Sequence, residues 1–309
     1  MTGLVIRRLA VGMFVLWGAV TLMFALLRMA PGDPATLMLG PDATSAEVDA
    51  LRTELGLDRG VFAQYLTYLG QIARLDFGDS YRFNLPAMDV VLDRLQATVE
   101  LTVTATVIAA VAGLTLGMLA GYRPNGRLDR TVSGLTILLQ GMPTFWVGIM
   151  LVLLFSATLH LLPSSSVGTP QHMIMPAVTL SLPFTAIVAR IARTSVVDSM
   201  QEPYVQTAYS KGLSRFQVLT GHVLRNSLTP VVTIIGLQMG ALLGGAVIVE
   251  NVFAWPGLGS LIVESVANRD YSVVQAAVLL IAAVVVVLNL LADLSYSLLD
   301  PRIRTGGNR

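Results

Sequence analysis

The side chains able to do chemistry are few, and their spacing argues against most of it. His160, His172 and His222 fall in three separate segments, and the chain has no cysteine. A zinc site needs three or four ligands converging at motif spacing, so none is expected. Lys211 is the only lysine, and Gly212 follows it. In a phosphate-binding loop the lysine comes after the second glycine and before Ser or Thr, so no nucleotide is held that way. There is no nucleophile elbow, no carboxylate pair in an expected cleft and no nucleic-acid module. The chain is therefore read as no enzyme, with no catalytic residue, cofactor or metal of its own. Glu100, Glu250 and Asp293 sit at the edges of apolar runs. At mid-membrane such groups mark ion or proton paths, but at the edges they are also explained as snorkelling or helix-terminal groups.

What is left is mechanical. The stretch Tyr204 to Pro230, YVQTAYSKGLSRFQVLTGHVLRNSLTP, is polar and basic in an otherwise apolar chain. Tyr204, Thr207, Ala208, Gly212 and Leu213 recur at three- and four-residue steps, with Lys211 and Arg215 beside them. Ala208 and Gly212 are four apart, so a short helix would carry a small notch on one face where another protein could approach the backbone. Gly212 is also expected to end that helix. The plainer alternative is a solvated loop made basic by its side of the membrane. A second cluster, Glu250, Phe253, Trp255, Pro256 and Gly257, sets two aromatics beside a rigid turn. It is read as an outer gate that dips into the bundle, or as an interfacial aromatic anchor.

Apolar elements must position these clusters. The 309 residues are 54% hydrophobic and 13% charged, with mean hydropathy +0.70, which is outside the soluble range and points to an integral membrane protein. About 20 apolar residues cross a hydrocarbon core of roughly 30 Å. Six runs qualify: Leu9 to Leu27, Leu101 to Gly121, Thr131 to Leu159 with Pro143 available to kink it, Met173 to Ala189, Leu228 to Val249, and Val273 to Leu294. The fold class is thus all-α with six transmembrane helices. Three regions follow: a first span in 1–30, a small extracytoplasmic helical subdomain in 31–95, and a core of five spans in 96–309 with a loop at about 199–226. In the subdomain, Ser45 to Leu55, Phe62 to Leu75 and Pro86 to Leu95 carry helical spacing, illustrated by Phe62, Tyr65, Leu66, Leu69 and Ile72.

Lys and Arg set the orientation. Arg7, Arg8, Arg123, Arg127, Arg130, Arg190, Arg193, Lys211, Arg215, Arg225, Arg302, Arg304 and Arg309 share one side; Arg52, Arg59, Arg74, Arg82, Arg94 and Arg269 share the other. The richer side is cytoplasmic, which puts both termini inside and residues 31–95 outside. Gly113, Gly117 and Gly121, and again Gly236, Gly240 and Gly244, repeat at four-residue spacing. In lipid such edges let helices approach closely, within one subunit or between two.

At the basic loop the chain resembles the membrane subunit of an ATP-binding-cassette importer. That family carries Glu-Ala-Ala, a glycine four residues after the second alanine, and a downstream apolar-Leu-Pro. Here Gln206, Thr207, Ala208, Gly212 and Leu224 fall at those positions, departing at Gln206, Thr207, His222 and Arg225, with the proline displaced to Pro230. YVQTAYSKGL with HVLRNSLTPVVT, together with APGDPA, ELGLDR, QYLTYLG, FGDS, GGAVIVENVFAWPGLG and DLSYSLLDPRIR, resembles the peptide and nickel branch, of the dipeptide/oligopeptide permease B type. The resemblance implies a multi-pass protein of the inner or plasma membrane whose helix at Tyr204, Thr207, Ala208, Lys211, Gly212, Leu213 and Arg215 docks on a cytoplasmic ATPase subunit. ATP and Mg would be bound by those partner subunits. A homologous second permease and an extracytoplasmic substrate-binding protein would complete the assembly, with no nucleic acid involved. Residues 31–95 would cap the vestibule or meet the binding protein. Peptide, nickel, glutathione and heme-like cargo are all compatible. A stand-alone secondary carrier and a membrane signalling or scaffold protein are the readings from other classes.

Overall fold

The computed structural model describes residues 2–29, 44–54, 58–165 and 168–299. The APGDPA cluster, the Gly56 turn and the DPRIR tail lie outside them, and Asp293 lies outside the described side chains. The described elements are α1 (Thr2–Met29), α2 (Ser45–Glu54), α3 (Val61–Ala73), β1 (Asp79–Ser80), β2 (Leu85–Pro86), α4 (Ala87–Tyr122), α5 (Arg127–Gly141) and α6 (Thr144–Leu151), which continues as a π-helical stretch over Val152–Thr158. They go on with α7 (Pro170–Met200), α8 (Pro203–Ser210), α9 (Arg215–Val218), a π turn over Leu219–Val223, α10 (Leu224–Val252), α11 (Leu258–Ala267) and α12 (Tyr271–Leu299). Among the described residues, five helical stretches are long and apolar enough to cross a membrane: Ile6–Leu26, Ala87–Tyr122, Pro170–Met200, Arg215–Val252 and Tyr271–Ala292. α5 with α6 and its π stretch passes the same test only as a pair bent by 102°, a broken span or a re-entrant loop, and makes six crossings when counted as one span. Pro143 caps α6 with an extended backbone and Met142 is extended before it. The expected kink is therefore a full break, because an extended pair cannot continue the helical ladder.

Packing divides the chain into two units, Met1–Gln96 with Leu261–Val286, and Ala97–Ser260 with Val287–Arg309. In the first unit α3 lies on α1: Tyr65 and Tyr68 meet the Phe24 ring at centroid distances of 5.1 and 5.4 Å, and the Tyr65 hydroxyl bonds Thr21 Oγ1 at 2.7 Å. The inward face runs through Tyr65, Tyr68, Leu69 and Ile72, while Phe62 and Leu66 stand exposed, a small rotation from the spacing-based face. The third expected short helix of the subdomain, Pro86 to Leu95, is instead the first turns of α4, since nothing from Ala87 to Tyr122 breaks the helix. Before it comes an unforeseen antiparallel pair, Asp79 opposite Pro86 and Ser80 opposite Leu85. Ser80 Oγ donates to Asp270 at 2.5 Å, and Arg82 pairs with Glu264 at 2.6 Å.

In the second unit α7 is the central rod. It runs past the expected end at Ala189 to Met200 and takes Arg190 and Arg193 into the helix, so the basic segment is not one loop. Gly113, Gly117 and Gly121 of α4 face it: an added Cβ would lie 2.6, 2.5 and 2.8 Å from the Cβ atoms of Val188, Ala192 and Val196. This glycine edge serves contact inside the chain. Leu101, Ala105, Ala109, Phe184, Val188, Val249, Phe253 and Trp255 belong to the core between α4, α7 and the end of α10.

Candidate functional site

The residues singled out in the basic loop are brought together by α8 and the turns at its ends. Pro203 opens the helix at a position where its missing N–H costs nothing. At the other end Lys211 caps it and Gly212 takes a left-handed φ of 82°. The Gly212 N–H donates to the Tyr209 carbonyl at 2.9 Å, and the Leu213 N–H to the Ala208 carbonyl at 3.3 Å. These two bonds make the left-handed helix stop in which a glycine is favoured. A Cβ on Gly212 would meet nothing within 4 Å, so the backbone, not space, calls for glycine.

The expected notch of Ala208 and Gly212 is not an exposed feature. Ala208 is 6% exposed and Val205 1%, both turned into a cluster with Val196 of α7, Val218 of α9 and Leu219 and Val223 of the π turn. Met118 and Tyr122 of α4, Met200, Tyr204 and Leu213 pack around it. Each valine buried here contributes on the order of 1.5–3 kcal/mol where it would otherwise meet water. Four-residue spacing predicts one face for Ala208 and Gly212, but Gly212 lies past the helix end and is exposed, while Val205 and Ala208 share the apolar face that seeks the core. Outward point Gln206, Thr207, Tyr209, Ser210 and Lys211. Arg215 reaches back to α4: its Nη2 donates to the Tyr122 carbonyl at 2.5 Å and its guanidinium lies 4.9 Å from the Tyr122 ring centroid. Thus α8 is seated on the ends of α4 and α7 and on α9 with the π turn that follows it.

Asp129 and its pairing with Arg193 escaped the sequence reading. Asp129, 3% exposed in the first turn of α5, accepts from Arg193 Nη2 at 2.7 Å and from its Nε, and from the Asn125 N–H at 2.7 Å. The only hint was one carboxylate in the basic turn RPNGRLDR. Beside this region a groove of about 500 Å³ runs between the last turns of α7 and Pro230, lined by Arg190, Thr194, Asp198, Ser199 and Glu202.

The cluster after α10 is packed as well. Phe253 is 1% exposed, Trp255 4% and Glu250 fully buried. Both aromatics and Glu250 are turned into the chain's own interior. Ala254 takes φ 48°, and the Trp255 N–H closes the helix end on the Glu250 carbonyl at 2.8 Å. The Glu250 carboxylate accepts from Thr98 Oγ1 at 2.6 Å, the Gly259 N–H at 2.7 Å and the Ser260 N–H at 3.0 Å. Thr98 in turn accepts from the Leu258 N–H at 2.8 Å, and the Trp255 indole donates to the Ala97 carbonyl at 2.9 Å. The acid therefore sits at the N-terminus of α11, where unpaired N–H groups favour negative charge. A Cβ on Gly257 would overlap this carboxylate, which explains the glycine beside Pro256. Neither cluster sets a nucleophile against a base; both tie helix ends together.

The comparisons agree with this architecture. The family model described as binding-protein-dependent transport system inner membrane component matches residues 113–305, and its N-terminal companion matches residues 1–102. The dipeptide transport system permease protein DppB of Escherichia coli (strain K12) is 37% identical over 332 residues, covering 97% of this chain and 98% of that one. The glutathione transport system permease protein GsiC of the same strain is 40% identical over 306 residues, covering 98% and 99%. Among solved structures, an inward-facing MetNI methionine ABC transporter matches 69% of this chain and 97% of that one, with TM-score 0.58 and 17% identity, a likeness of fold alone. Both ends of the chain are thus covered by one family's models and by relatives of full length, and the chain belongs to the inner-membrane components of binding-protein-dependent transport systems, the permease subunits of ABC importers.

Proposed function

We propose that this chain forms half of the translocation pathway of an ATP-driven peptide importer. A homologous second permease supplies the other half, cytoplasmic ATPase subunits drive it through α8, and an extracytoplasmic binding protein delivers the cargo. Both termini and α8 lie in the cytoplasm, and residues 31–95 lie outside. ATP and Mg belong to the partner subunits, and no residue of this chain is catalytic.

The observation that carries this reading is the seating of α8. Its apolar face is buried on three spans while Gln206, Thr207, Tyr209, Ser210 and Lys211 are left exposed. A partner that grips the exposed face moves those spans, and ATP binding by that partner selects between their arrangements. Peptide is the favoured cargo because the relatives include a dipeptide permease and a glutathione permease, and glutathione is itself a small peptide-like molecule.

The test is copurification followed by reconstitution. A tag on this chain should bring down a second permease and ATPase, and proteoliposomes of that complex with its binding protein should take up labelled dipeptide only when ATP is supplied inside. Uptake by this chain alone in response to an ion gradient would overturn the proposal in favour of a secondary carrier. ATP-driven uptake of nickel without peptide would make nickel the cargo in place of peptide.

A further inference from the structure

We infer that Glu250 is a positioning residue that clamps the far end of α10 to α4, so that the turn from Phe253 to Leu258 travels with α4 as a fixed joint and does not swing as a separate gate. This rests on the reading of the chain as an ATP-driven permease. A swinging plug needs aromatics that can leave their seats and a backbone with few fixed partners. Here Phe253 and Trp255 are core residues, and the turn is held by a closed ring of bonds. Thr98 donates to Glu250 and accepts from the Leu258 N–H; Glu250 accepts from the Gly259 and Ser260 N–H groups; Ser260 Oγ donates to the Trp255 and Gly257 carbonyls. Releasing the turn would leave a buried acid and several buried N–H groups without partners, which is costly in a dry interior.

The clamp has a counterpart at the other end of the same helices. Arg215 opens the helical stretch Arg215–Val252 and holds the Tyr122 end of α4, while Glu250 and Trp255, toward the opposite end, hold Thr98 and Ala97 of α4. Two long helices fixed to each other at both ends act as one frame. A displacement applied at α8 therefore arrives at the turn after α10 without being absorbed by rotation of α10 on α4. Glu250 touches no cargo in this account; it acts by keeping the frame rigid.

The test compares Thr98→Val, which removes the hydroxyl at nearly constant shape, with Thr98→Ser, which keeps it, in the assembled importer. Peptide uptake, ATP hydrolysis and thermal stability are measured together. Thr98→Val should leave ATP hydrolysis near wild type and lower uptake per ATP roughly tenfold, the scale of one lost buried hydrogen bond. Thr98→Ser should restore it to within about twofold, and Glu250→Ala should resemble Thr98→Val. Unchanged uptake per ATP in Thr98→Val overturns the inference. So does a parallel fall in hydrolysis, uptake and thermal stability, since that marks a role in folding alone. Amide hydrogen exchange at Leu258, Gly259 and Ser260 gives a readout independent of transport: it should be faster in Thr98→Val, and equal rates would overturn the clamp. If the wild-type complex shows no ATP-driven uptake, the functional reading falls, and the exchange rates still decide whether the joint exists.

Discussion

Gly212 shows how a motif residue can be necessary for a reason other than the one its spacing suggests. Its φ of 82° and the open space around it mean that a side chain is penalised by backbone strain and not by collision. The left-handed conformation costs an ordinary L residue roughly 1 kcal/mol or more, and Asn less than most. ATPase activity stimulated by the binding protein should then fall in the order Gly212, Gly212→Asn, Gly212→Ala, Gly212→Val; an equal loss for all three variants would point back to a space requirement. Ala254 poses the opposite case, a left-handed site filled by a residue with a Cβ. Relief of about 1–2 kcal/mol of strain outweighs the roughly 0.5–1 kcal/mol by which glycine favours the unfolded chain. Ala254→Gly should thus raise the melting temperature in detergent slightly, whereas Ala254→Val should lower it. Gly212 as a helix stop was legible because the signal is local. The Glu250 to Thr98 bond joins residues 152 positions apart, and no pattern within either helix announces it. Ala208 was placed on the right helix and the wrong side, because period alone does not say which of two faces meets the core.

Among elements, glycine spacing separates into two cases that look alike in sequence. Gly117 has Ala192 of α7 against it, with an added Cβ 2.5 Å from the Ala192 Cβ, whereas Gly244 has nothing within 4 Å. Gly117→Ala should therefore force α4 from α7 and cost about 1–3 kcal/mol, the usual range for overpacking. Gly244→Ala should be tolerated, with no loss in melting temperature. Equal effects would mean that α4 and α7 do not approach as closely as the structure has them. Apolar periodicity located five long crossings and the bent α5 and α6 pair because about 20 lipid-compatible residues are an obligatory signal. It missed the ends of the helices for a physical reason: α7 runs to Met200 by pairing Arg193 with Asp129, and charged residues satisfied by a partner do not end a helix. It also missed that Pro86 to Leu95 joins α4, since helical spacing reports a helix but not whether the next one is the same helix.

At the level of the whole molecule, orientation rests on charge, and the chain offers a clean way to measure it because it has no cysteine of its own. Lys211, Arg215, Arg225 and the arginines of the RPNGRLDR turn gather on one side of the membrane in the six-span reading, and Arg82 with Arg269 falls on the sparser other side. Cytoplasmic loops retain basic residues, which is why the proposed orientation puts the α8 side inside. Two exposed positions report on the two sides: Gln206 on α8, and Tyr81, which is 43% exposed in the turn between β1 and β2. Single substitutions Gln206→Cys and Tyr81→Cys leave the buried clusters untouched. With a thiol reagent that cannot cross the membrane, Tyr81→Cys should be labelled once the reagent reaches the outer face of the membrane, and Gln206→Cys only after the membrane is permeabilised. Reversed labelling would invert the orientation and remove α8 from the reach of a cytoplasmic ATPase. Labelling of both from outside would remove the odd number of crossings between positions 81 and 206, and with it the count of α5 and α6 as one span. Addition of the ATPase subunits to permeabilised membranes supplies the final arm: it should slow labelling at Gln206→Cys severalfold while leaving Tyr81→Cys unchanged, because a partner seated on the exposed face of α8 shields only the side it binds.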